Sequence, residues 1–257
     1  MIDIHTHILP GLDDGAATIE DSVEIARLAL ADSVNTIVAT PHGLDLGELQ
    51  KREYVETKVE DLRGELAKRG VGVEIVAGIE VYISPDIAVK LENGSVFGLN
   101  GSNYLLIELP MHQFPFYVEQ TLFELQARGF RPIIAHPERN VSIQEDTGLL
   151  RRMVERGVLG QVTAGSLLGS FGPKTTKTAE ALLSQKLVHV IASDAHSARG
   201  HRSPVLSLAV AAAARIVGHE LALAMVTSVP RAILSGEPVD VLPPVEKQTK
   251  RLFSFWR

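Results

Sequence analysis

The sequence predicts an α/β protein, a distorted seven-stranded (β/α)7 TIM-like barrel with parallel strands inside and helices outside. Two observations predict it. Strand-like and helix-like segments alternate along most of the chain with short connections, which is typical of parallel β–α units. An open doubly wound sheet fits that alternation too. Polar residues follow the strands, however, and barrels of this type collect their active-site residues at those ends, which favours the barrel.

The predicted strands are short apolar segments rich in β-branched residues. There are seven of them: Ile2–His5, Asn35–Thr40, Val73–Glu80, Tyr104–Glu108, Pro132–His136, Leu159–Thr163 and Val188–Asp194. Five of the seven carry a histidine or an acidic residue at the end, and His42 lies just beyond a sixth. Because this occurs at six strands, we interpret it as a site and not as coincidence.

Apolar residues at helical spacing predict the helices between these strands. The first apolar stripe begins at Ile19, after Thr18 with Asp21 three residues on, which is the pattern of a capping box. Pro173 suits the first turn of a later helix, where its missing N–H is harmless. The other predicted helices include the stripes Val55–Leu66 and Val118–Leu125 and, as the last two, Val205–Val217 and Glu220–Thr227.

Composition excludes several classes of protein. The chain has 257 residues, 45% hydrophobic and 22% charged, as expected of a soluble globular protein. It has no cysteine, which excludes disulfides, thiolate metal sites and a thiolate nucleophile. The net charge of −6 argues against nucleic-acid binding. The start MIDIHTH does not resemble a signal peptide, so we expect a cytoplasmic protein.

The end of the chain differs from the rest. Three prolines between residues 238 and 244 predict the end of the compact fold, so we assign residues 1–236 to the barrel and residues 237–257 to a linker and tail. Lys247, Lys250, Arg251 and Arg257 of the tail interleave with Leu252, Phe253, Phe255 and Trp256. Such a tail suits peripheral contact with the anionic inner face of a membrane, at about 1 kcal/mol per basic residue. A disordered end or an oligomer contact is the alternative.

Nine candidate metal ligands lie at the strand ends or just beyond them. His5 and His7 are two residues apart on a strand, so both imidazoles face one side and can bind the same ion. Imidazoles and carboxylates without sulfur suit manganese, iron, zinc or magnesium. Nine ligands are too many for one ion and imply two or three. The full set is His5, His7, Asp14, His42, Glu80, Glu108, His136, Asp194 and His196. For Asp13 and Asp14, turn formation is the alternative role.

The charges of this set predict an anionic ligand. Its four carboxylates repel one another without cations, and three divalent ions would change the local charge from −4 to +2. Such a centre attracts a dianion, of which phosphate is the obvious candidate. Arg139 follows His136 by three residues and can bind phosphate oxygens through both terminal nitrogens. Arg202, in the loop after His196, is the second candidate, with a surface ion pair as the alternative.

Seven motifs together resemble the polymerase-and-histidinol-phosphatase (PHP) superfamily: MIDIHTH, LDDG, ATPH, GIEVY, AHPER, QVTAGSLLGSFG and VIASDAH. More narrowly, they resemble its bacterial manganese-dependent tyrosine phosphatases of capsule and exopolysaccharide operons. The resemblance extends in order from Met1 to about Gly236. It implies a distorted seven-stranded PHP barrel that holds three divalent metal ions, Mn²⁺ above all, with Fe, Zn or Mg as alternatives.

Carried onto matching positions, the resemblance implies a role for each residue. One ion is held by His5, His7, Glu80 and Asp194; a second by Glu80, Glu108 and His136; and a third by Asp14, His42 and His196. The phosphate-binding arginines match Arg139 and, across a one-residue insertion, Arg202. Family members often have a second histidine where this chain has Gly43, and a tyrosine where it has Asn140. Neither position is a metal ligand in the pattern, so these departures bear on substrate detail.

The function that the resemblance implies is hydrolysis of phosphotyrosine on a protein, with an autophosphorylated bacterial tyrosine kinase that regulates capsular or exopolysaccharide synthesis as the expected partner. Metal-bound water can have a pKa of about 7, so a metal-bound hydroxide would attack phosphorus without a phospho-enzyme. Arg139 and Arg202 would stabilise the equatorial oxygens. Phe114, Phe116 and Tyr117 either form a slot for the aromatic ring or anchor the following helix.

Two alternatives stay open. A small-molecule phosphatase of the same superfamily, for example one for histidinol phosphate, needs the same metals. A non-catalytic regulatory subunit is the second alternative, although the complete ligand set argues against it. Of the other histidines, we expect His189 in the core and His112 and His219 at the surface, and we do not expect His201 to contact substrate.

Overall fold

The computed structural model describes residues 1–47, 51–240 and 243–245. In this part of the chain, eight parallel strands form a three-stranded sheet in the order β1-β2-β3 and a five-stranded sheet in the order β4-β5-β6-β7-β8. The strands are β1 (Ile2–Thr6), β2 (Thr36–Ala39), β3 (Glu74–Ala77), β4 (Glu80–Tyr82), β5 (Tyr104–Glu108), β6 (Arg131–Ala135), β7 (Leu159–Thr163) and β8 (Val190–Ala192).

Helices separate most of the strands and surround them. They are α1 (Ile19–Ala31), α2 (Gly43–Leu46), α3 (Arg52–Lys68), α4 (Ile87–Glu92), α5 (Val118–Ala127), α6 (Val141–Glu145), α7 (Gly148–Val154), α8 (Ala164–Leu167), α9 (Pro173–Ser184), α10 (Ser207–Val217), α11 (His219–Ala224) and α12 (Ser228–Ser235). Among the residues described, none of these helices has the length and apolar character needed to cross a bilayer.

The predicted α/β alternation is confirmed, except that one predicted strand is divided into two. Six predicted strands are each observed as one strand, whereas Val73–Glu80 is split into β3 and β4. The break falls at Gly78, where an added Cβ would lie 2.8 Å from side-chain atoms of both Leu99 and Val38. Because the chain leaves one sheet here and enters the other, Glu80 begins a new strand.

Backbone hydrogen bonds join the two sheets along both of their borders. On one side, Glu80 N donates to Pro41 O at 3.1 Å. On the other, Asp194 N donates to His5 O at 2.9 Å and His7 N donates to Ala195 O at 2.8 Å. The residues that follow β1, β2 and β8, together with the start of β4, therefore meet in one region, which we call the mouth.

The helices form where the sequence predicts them, apart from the last. The capping box of α1 is present, since Thr18 Oγ1 accepts from Asp21 N and Asp21 Oδ2 accepts from Thr18 N. The prediction that Glu220–Thr227 is the final helix is wrong, because α12 follows it. Pro230 lies in the first turn of α12, where a missing N–H costs no helical hydrogen bond.

The core lies in two layers. One cluster collects alternate residues of the strands, among them Ile4, Val38 and Ile133. A larger cluster packs the opposite side of the strands against the helices; α3, for example, contributes Val55 and Leu62. Parallel strands buried on both sides carry nearly continuous apolar residues, so the polar side chains fall at their ends.

The residues after Gly236 lie against this body as far as they are described. The Tyr104 hydroxyl donates to Glu237 O at 2.8 Å and accepts from Val239 N at 3.2 Å. Val245 N donates to Gln185 O at 3.0 Å. The domain boundary after residue 236 stays a prediction. Residues 246–257, and with them the basic and aromatic tail, are outside the described part.

Replacing Tyr104 with phenylalanine tests how this segment is fastened. Tyr104 is 1% exposed, so Tyr104→Phe leaves the Glu237 carbonyl and the Val239 N–H without their partner. We expect the free energy of unfolding, measured in urea, to fall by about 1–2 kcal/mol. Tyr54→Phe is the control, since the Tyr54 hydroxyl makes no hydrogen bond to other described residues. Equal stability of the two variants would contradict the expectation.

Candidate metal centre

All nine predicted ligands meet at the mouth. The innermost side chains are those of His5, His7, Glu80 and Asp194, each at most 1% exposed. The side chains of His136 and His196 are 6% exposed. Toward solvent, exposure rises to 18% for Glu108, 23% for His42 and 59% for Asp14. The prediction that these residues share one site therefore agrees with their placement.

Glu80 lies at the centre of this set and contacts four imidazoles. Its Oε2 is 2.9 Å from His42 Nδ1, 3.2 Å from His5 Nε2 and 3.3 Å from His7 Nε2. Its Oε1 accepts from His136 Nε2 at 2.9 Å. These contacts make Glu80 a point where the candidate ion sites join.

The ligand atoms form three overlapping groups. In the first, Asp194 Oδ1 is 3.5 Å from His5 Nε2 and 3.4 Å from His7 Nε2. In the second, Glu108 lies 3.9 Å from His136 Nε2 and 4.0 Å from His42 Nδ1. In the third, Asp14 Oδ1 is 3.0 Å from His196 Nε2 and 3.5 Å from His42 Nε2.

These separations fit divalent ions. Two ligand atoms about 2.1 Å from an ion are about 3.0 Å apart at a right angle and about 3.4 Å apart in a tetrahedral arrangement. Glu80 Oε2 and His196 Nε2 are also buried without a well-formed hydrogen bond. Buried polar atoms rarely lack partners, and a cation supplies one to each.

The groups share more residues than the resemblance implies. His7, expected in the first group, also lies with Asp14, His42 and His196, so that the ligand atoms of all four are within 4.8 Å of one another. His42, expected in the third group, also approaches Glu80 and Glu108. The centre is therefore continuous, with His7 and His42 lying between neighbouring groups.

Two of the candidate ligands have left-handed backbone conformations. His136 has φ 33° and Asp194 has φ 54°, which cost of order 1 kcal/mol or more for residues other than glycine. His136 directly follows β6, and its side chain is turned toward Glu80. Asp194 lies two residues beyond β8, and its side chain is turned toward His5. Strain of this kind is concentrated at functional sites.

Opposite charges compensate one another in the mouth. Burial alone would raise the pKa of Glu80, yet His5, His136 and His42 hold that pKa well below its usual value. Burial would likewise raise the pKa of Asp194, but His5 and His7 lower it strongly. Conversely, burial and the charge of Glu80 raise the pKa of Glu108 to about 7. These carboxylates need nearby positive charge, which protonated imidazoles or metal ions provide.

Both candidate arginines flank the mouth. Arg139 Nη1 donates to Asp194 Oδ2 at 2.7 Å, and Arg202 Nη2 is 3.1 Å from Asp194 Oδ1. Arg202 Nη1 also lies 3.5 Å from Asp14 Oδ2. Their side chains are 17% and 20% exposed, so their terminal groups are within reach of a ligand that enters from solvent. Arg202 thus forms the ion pairs that were its alternative role, and its role in binding phosphate stays a prediction.

Sequence reasoning missed the contacts by which three residues support this set. Gln161 Oε1 accepts from His5 Nδ1 at 3.0 Å, and Asp13 Oδ2 accepts from His7 Nδ1 at 2.7 Å. The Phe171 ring lies under Arg139, 4.8 Å from its Cζ. Gln161 and Phe171 both belong to the QVTAGSLLGSFG motif, so the signal was present without an assigned role.

Other predictions concern Asn140 and the three aromatic residues of the loop before α5. Asn140 caps α6 and donates to Pro110 O and Gln113 O, which fixes the loop before α5. Phe116 is 98% exposed, whereas Phe114 and Tyr117 pack against the core. The aromatic slot stays a prediction, although only one of its three members is fully open to solvent.

His189 and His201 lie away from the candidate ligands. His189 Nδ1 accepts from Gly160 N at 3.1 Å, with the ring only partly buried. His201 is exposed, and its ring contacts the edge of Phe171. Neither residue belongs to the groups of candidate ligands that the structure brings together.

Comparison with known proteins identifies the family. The family model described as "Capsular polysaccharide synthesis, CpsB/CapC" matches residues 1–235. The chain belongs to the CpsB/CapC family. The match includes all nine candidate ligands and both arginines, so the narrower of the two resemblances noted in the motifs is confirmed.

Relatives of this CpsB/CapC chain carry names that agree with the site. It is 36% identical over 256 residues to tyrosine-protein phosphatase YwqE of Bacillus subtilis, covering 100% of both chains. It is 30% identical to tyrosine-protein phosphatase CpsB of Streptococcus pneumoniae, covering 92% of this chain and 99% of that one. A putative tyrosine-protein phosphatase CapC of Staphylococcus aureus is 41% identical over 77% of each chain.

A solved structure has the same fold. It comes from work on YwqE from Bacillus subtilis and CpsB from Streptococcus pneumoniae, described as unique metal-dependent tyrosine phosphatases. The TM-score is 0.91 at 36% identity, with 96% of this chain and 100% of the other covered. The agreement extends over nearly the whole chain and so includes the elements that carry the mouth.

Proposed function

We propose that this chain is a metal-dependent phosphatase that hydrolyses phosphotyrosine on proteins. One observation carries the proposal: nine imidazole and carboxylate ligands and two arginines meet at a single mouth in a chain without cysteine. The names of the relatives support the same activity. A non-catalytic role is disfavoured because no member of the predicted set is missing.

The donor set supports three divalent ions, with Mn²⁺ first and Fe, Zn or Mg as alternatives. His5, His7, Glu80 and Asp194 would hold one ion; Glu80, Glu108 and His136 a second; and Asp14, His42 and His196 a third. When bound, such ions acidify water and neutralise phosphate charge. We also infer that the two sheets form one distorted seven-stranded barrel, with β3 and β4 as a single bent strand.

The side chains of the mouth bind and orient the substrate. Arg139 and Arg202 are placed to donate to phosphate oxygens and to stabilise charge on them as the ester bond breaks. A tyrosine leaving group has a pKa of about 10, so it needs less help from a general acid than an alkoxide would. Since the chain has no thiol, transfer of the phosphoryl group to water without a covalent phospho-enzyme is the mechanism that we favour.

The natural substrate that we propose is an autophosphorylated bacterial tyrosine kinase that regulates capsular or exopolysaccharide synthesis. The support is the family description, which names capsular polysaccharide synthesis. A cytoplasmic location is part of the same proposal. The second candidate function, hydrolysis of histidinol phosphate, uses the same metal ligands and differs only in the substrate.

Hydrolysis by one preparation separates these functions. We expect Mn²⁺-dependent release of phosphate from a phosphotyrosine peptide, none from histidinol phosphate and none from either substrate in EDTA. Malachite green detection of phosphate suffices for the measurement. Release from histidinol phosphate alone would move the assignment to small-molecule metabolism, and inactivity on both would favour a regulatory role.

Substitution of Arg139 tests its proposed role in binding phosphate. Arg139→Lys keeps the charge but loses the planar pair of donors, so we expect kcat/KM for a phosphotyrosine peptide to fall by about 100-fold. Arg199→Lys is the matched control, because Arg199 lies in the same region but is 86% exposed and pairs with Glu24. If both variants retain wild-type kcat/KM, Arg139 has no part in catalysis.

The tail supports a separate proposal of peripheral membrane contact. Lys247, Lys250, Arg251 and Arg257 would attract anionic lipid, and such contact would keep the enzyme near a membrane-bound kinase. We expect the full chain to co-sediment with phosphatidylserine vesicles at low salt, and a variant without Gln248–Arg257 to stay in the supernatant. Equal sedimentation of both would exclude the membrane role and leave a disordered end or an oligomer contact, of which analytical ultracentrifugation would detect the second.

A further inference from the structure

The two consecutive aspartates of the LDDG motif have different surroundings. The Asp14 side chain is 59% exposed and faces His42 and His196 in the mouth. The Asp13 side chain is 1% exposed and lies on the far side of the His7 ring, at Nδ1 and not at Nε2. Asp13 therefore cannot bind the ions that Asp14 is placed to bind, and its burial calls for a different explanation.

Asp13 accepts three hydrogen bonds, which occupy both of its oxygens. Oδ2 accepts from His7 Nδ1 at 2.7 Å and from the backbone N of His42 at 3.0 Å. Oδ1 accepts from Gly15 N at 2.9 Å. A carboxylate only accepts, so His7 Nδ1 carries a proton, and Nε2, which faces Glu80 and Asp194, is the nitrogen left to bind an ion.

We infer that Asp13 is a positioning residue of the metal centre, which orients the His7 ring and holds the His42 backbone beside it. The inference rests on the proposed metal centre. His7 and His42 are the two histidines that the overlapping ligand groups share, and their ring centroids are 4.4 Å apart. A single carboxylate oxygen thus links the His7 ring to the backbone that carries the His42 side chain.

The neighbouring histidine has a weaker partner. His5 Nδ1 donates to the neutral amide oxygen of Gln161 at 3.0 Å, whereas His7 Nδ1 donates to a charged carboxylate. A carboxylate that accepts from the second nitrogen of a metal-bound imidazole makes the first nitrogen a stronger electron-pair donor to the metal. Asp13 also adds a fifth negative charge to the four ligand carboxylates, so three divalent ions would leave a local charge of +1 and not +2.

The loop around His7 leaves Asp13 no other position. At Gly15, an added Cβ would lie 2.1 Å from His7 O and 2.5 Å from His7 Cβ. The backbone closes over this contact, since Ala16 N donates to His7 O at 3.0 Å and Gly11 N donates to Ala16 O at 2.8 Å. Residues 11–16 thus wrap tightly around His7 and hold the Asp13 carboxylate against its ring.

The substitution Asp13→Asn tests the inference. Asparagine has the same size, but its single oxygen cannot serve both the pair of donors at Oδ2 and the Gly15 N–H at Oδ1. Its NH₂ group then faces one of these donors. We expect the affinity for Mn²⁺, measured by isothermal titration calorimetry on the full chain without substrate, to fall 10–100-fold. The melting temperature of the metal-free variant should change much less than that of the Mn²⁺-loaded variant.

Asp146→Asn is the matched control. Asp146 forms a turn of the same kind, in which its Oδ1 accepts from Gly148 N at 2.8 Å, but no histidine contacts it in the described structure. We expect wild-type Mn²⁺ affinity for this variant. If Asp13→Asn also binds Mn²⁺ within twofold of wild type, Asp13 only forms a turn and the inference is wrong. Wild-type protein that binds Mn²⁺ but does not hydrolyse a phosphotyrosine peptide would instead disprove the proposed function.

A measurement on the unaltered protein gives a second test, which holds even if the variant does not fold. In Zn²⁺-loaded wild-type protein labelled with ¹⁵N-histidine, we expect the His7 ring to carry its proton on Nδ1 and to bind the ion through Nε2. Nuclear magnetic resonance of the ring nitrogens distinguishes the two forms. A proton on Nε2 of His7 would overturn the inference.

Discussion

The burial of Glu80 is the constraint on which the rest of the mouth depends. A carboxylate removed from water costs several kcal/mol unless positive charge surrounds it. Four imidazoles lie within 3.3 Å of its two oxygens, and Asp194, equally buried, adds a second charge nearby. Two arginines pair with Asp194. Imidazoles and arginines surround these acids even without metal, but Glu80 Oε2 has no well-formed hydrogen bond. Divalent ions are the counter-charges that the ligand spacing fits best.

The bent strand places Glu80 at this centre. If β3 continued into β4, Glu80 would pair within the first sheet. The chain instead turns at Gly78, and Glu80 starts the edge strand of the second sheet, beside His42. The same turn connects the two sheets and brings Glu80 next to His42. The turn at Gly78 therefore determines both the connection between the sheets and the position of the central candidate ligand.

Much of this site is predictable from sequence because parallel strands buried on both faces leave polar residues only at their ends. That pattern located six of the nine candidate ligands, and the residues around them added His7, Asp14 and His196. Spacing from His136 located Arg139. The roles of Asp13, Gln161 and Phe171 were not predictable, since each depends on a partner distant in the chain or on which ring nitrogen faces inward. The division of Val73–Glu80 and the helix containing Pro230 were missed because local propensity does not report tertiary packing.

Anomalous diffraction from crystals grown with MnCl₂ tests the central claim most directly. Data at the manganese absorption edge should show three peaks at the mouth, each about 2–2.5 Å from its ligand atoms. Glu80 should contact two of the three. The account would be contradicted if no peak appeared at the mouth, or if the peaks that appeared there left Glu80 without a contact.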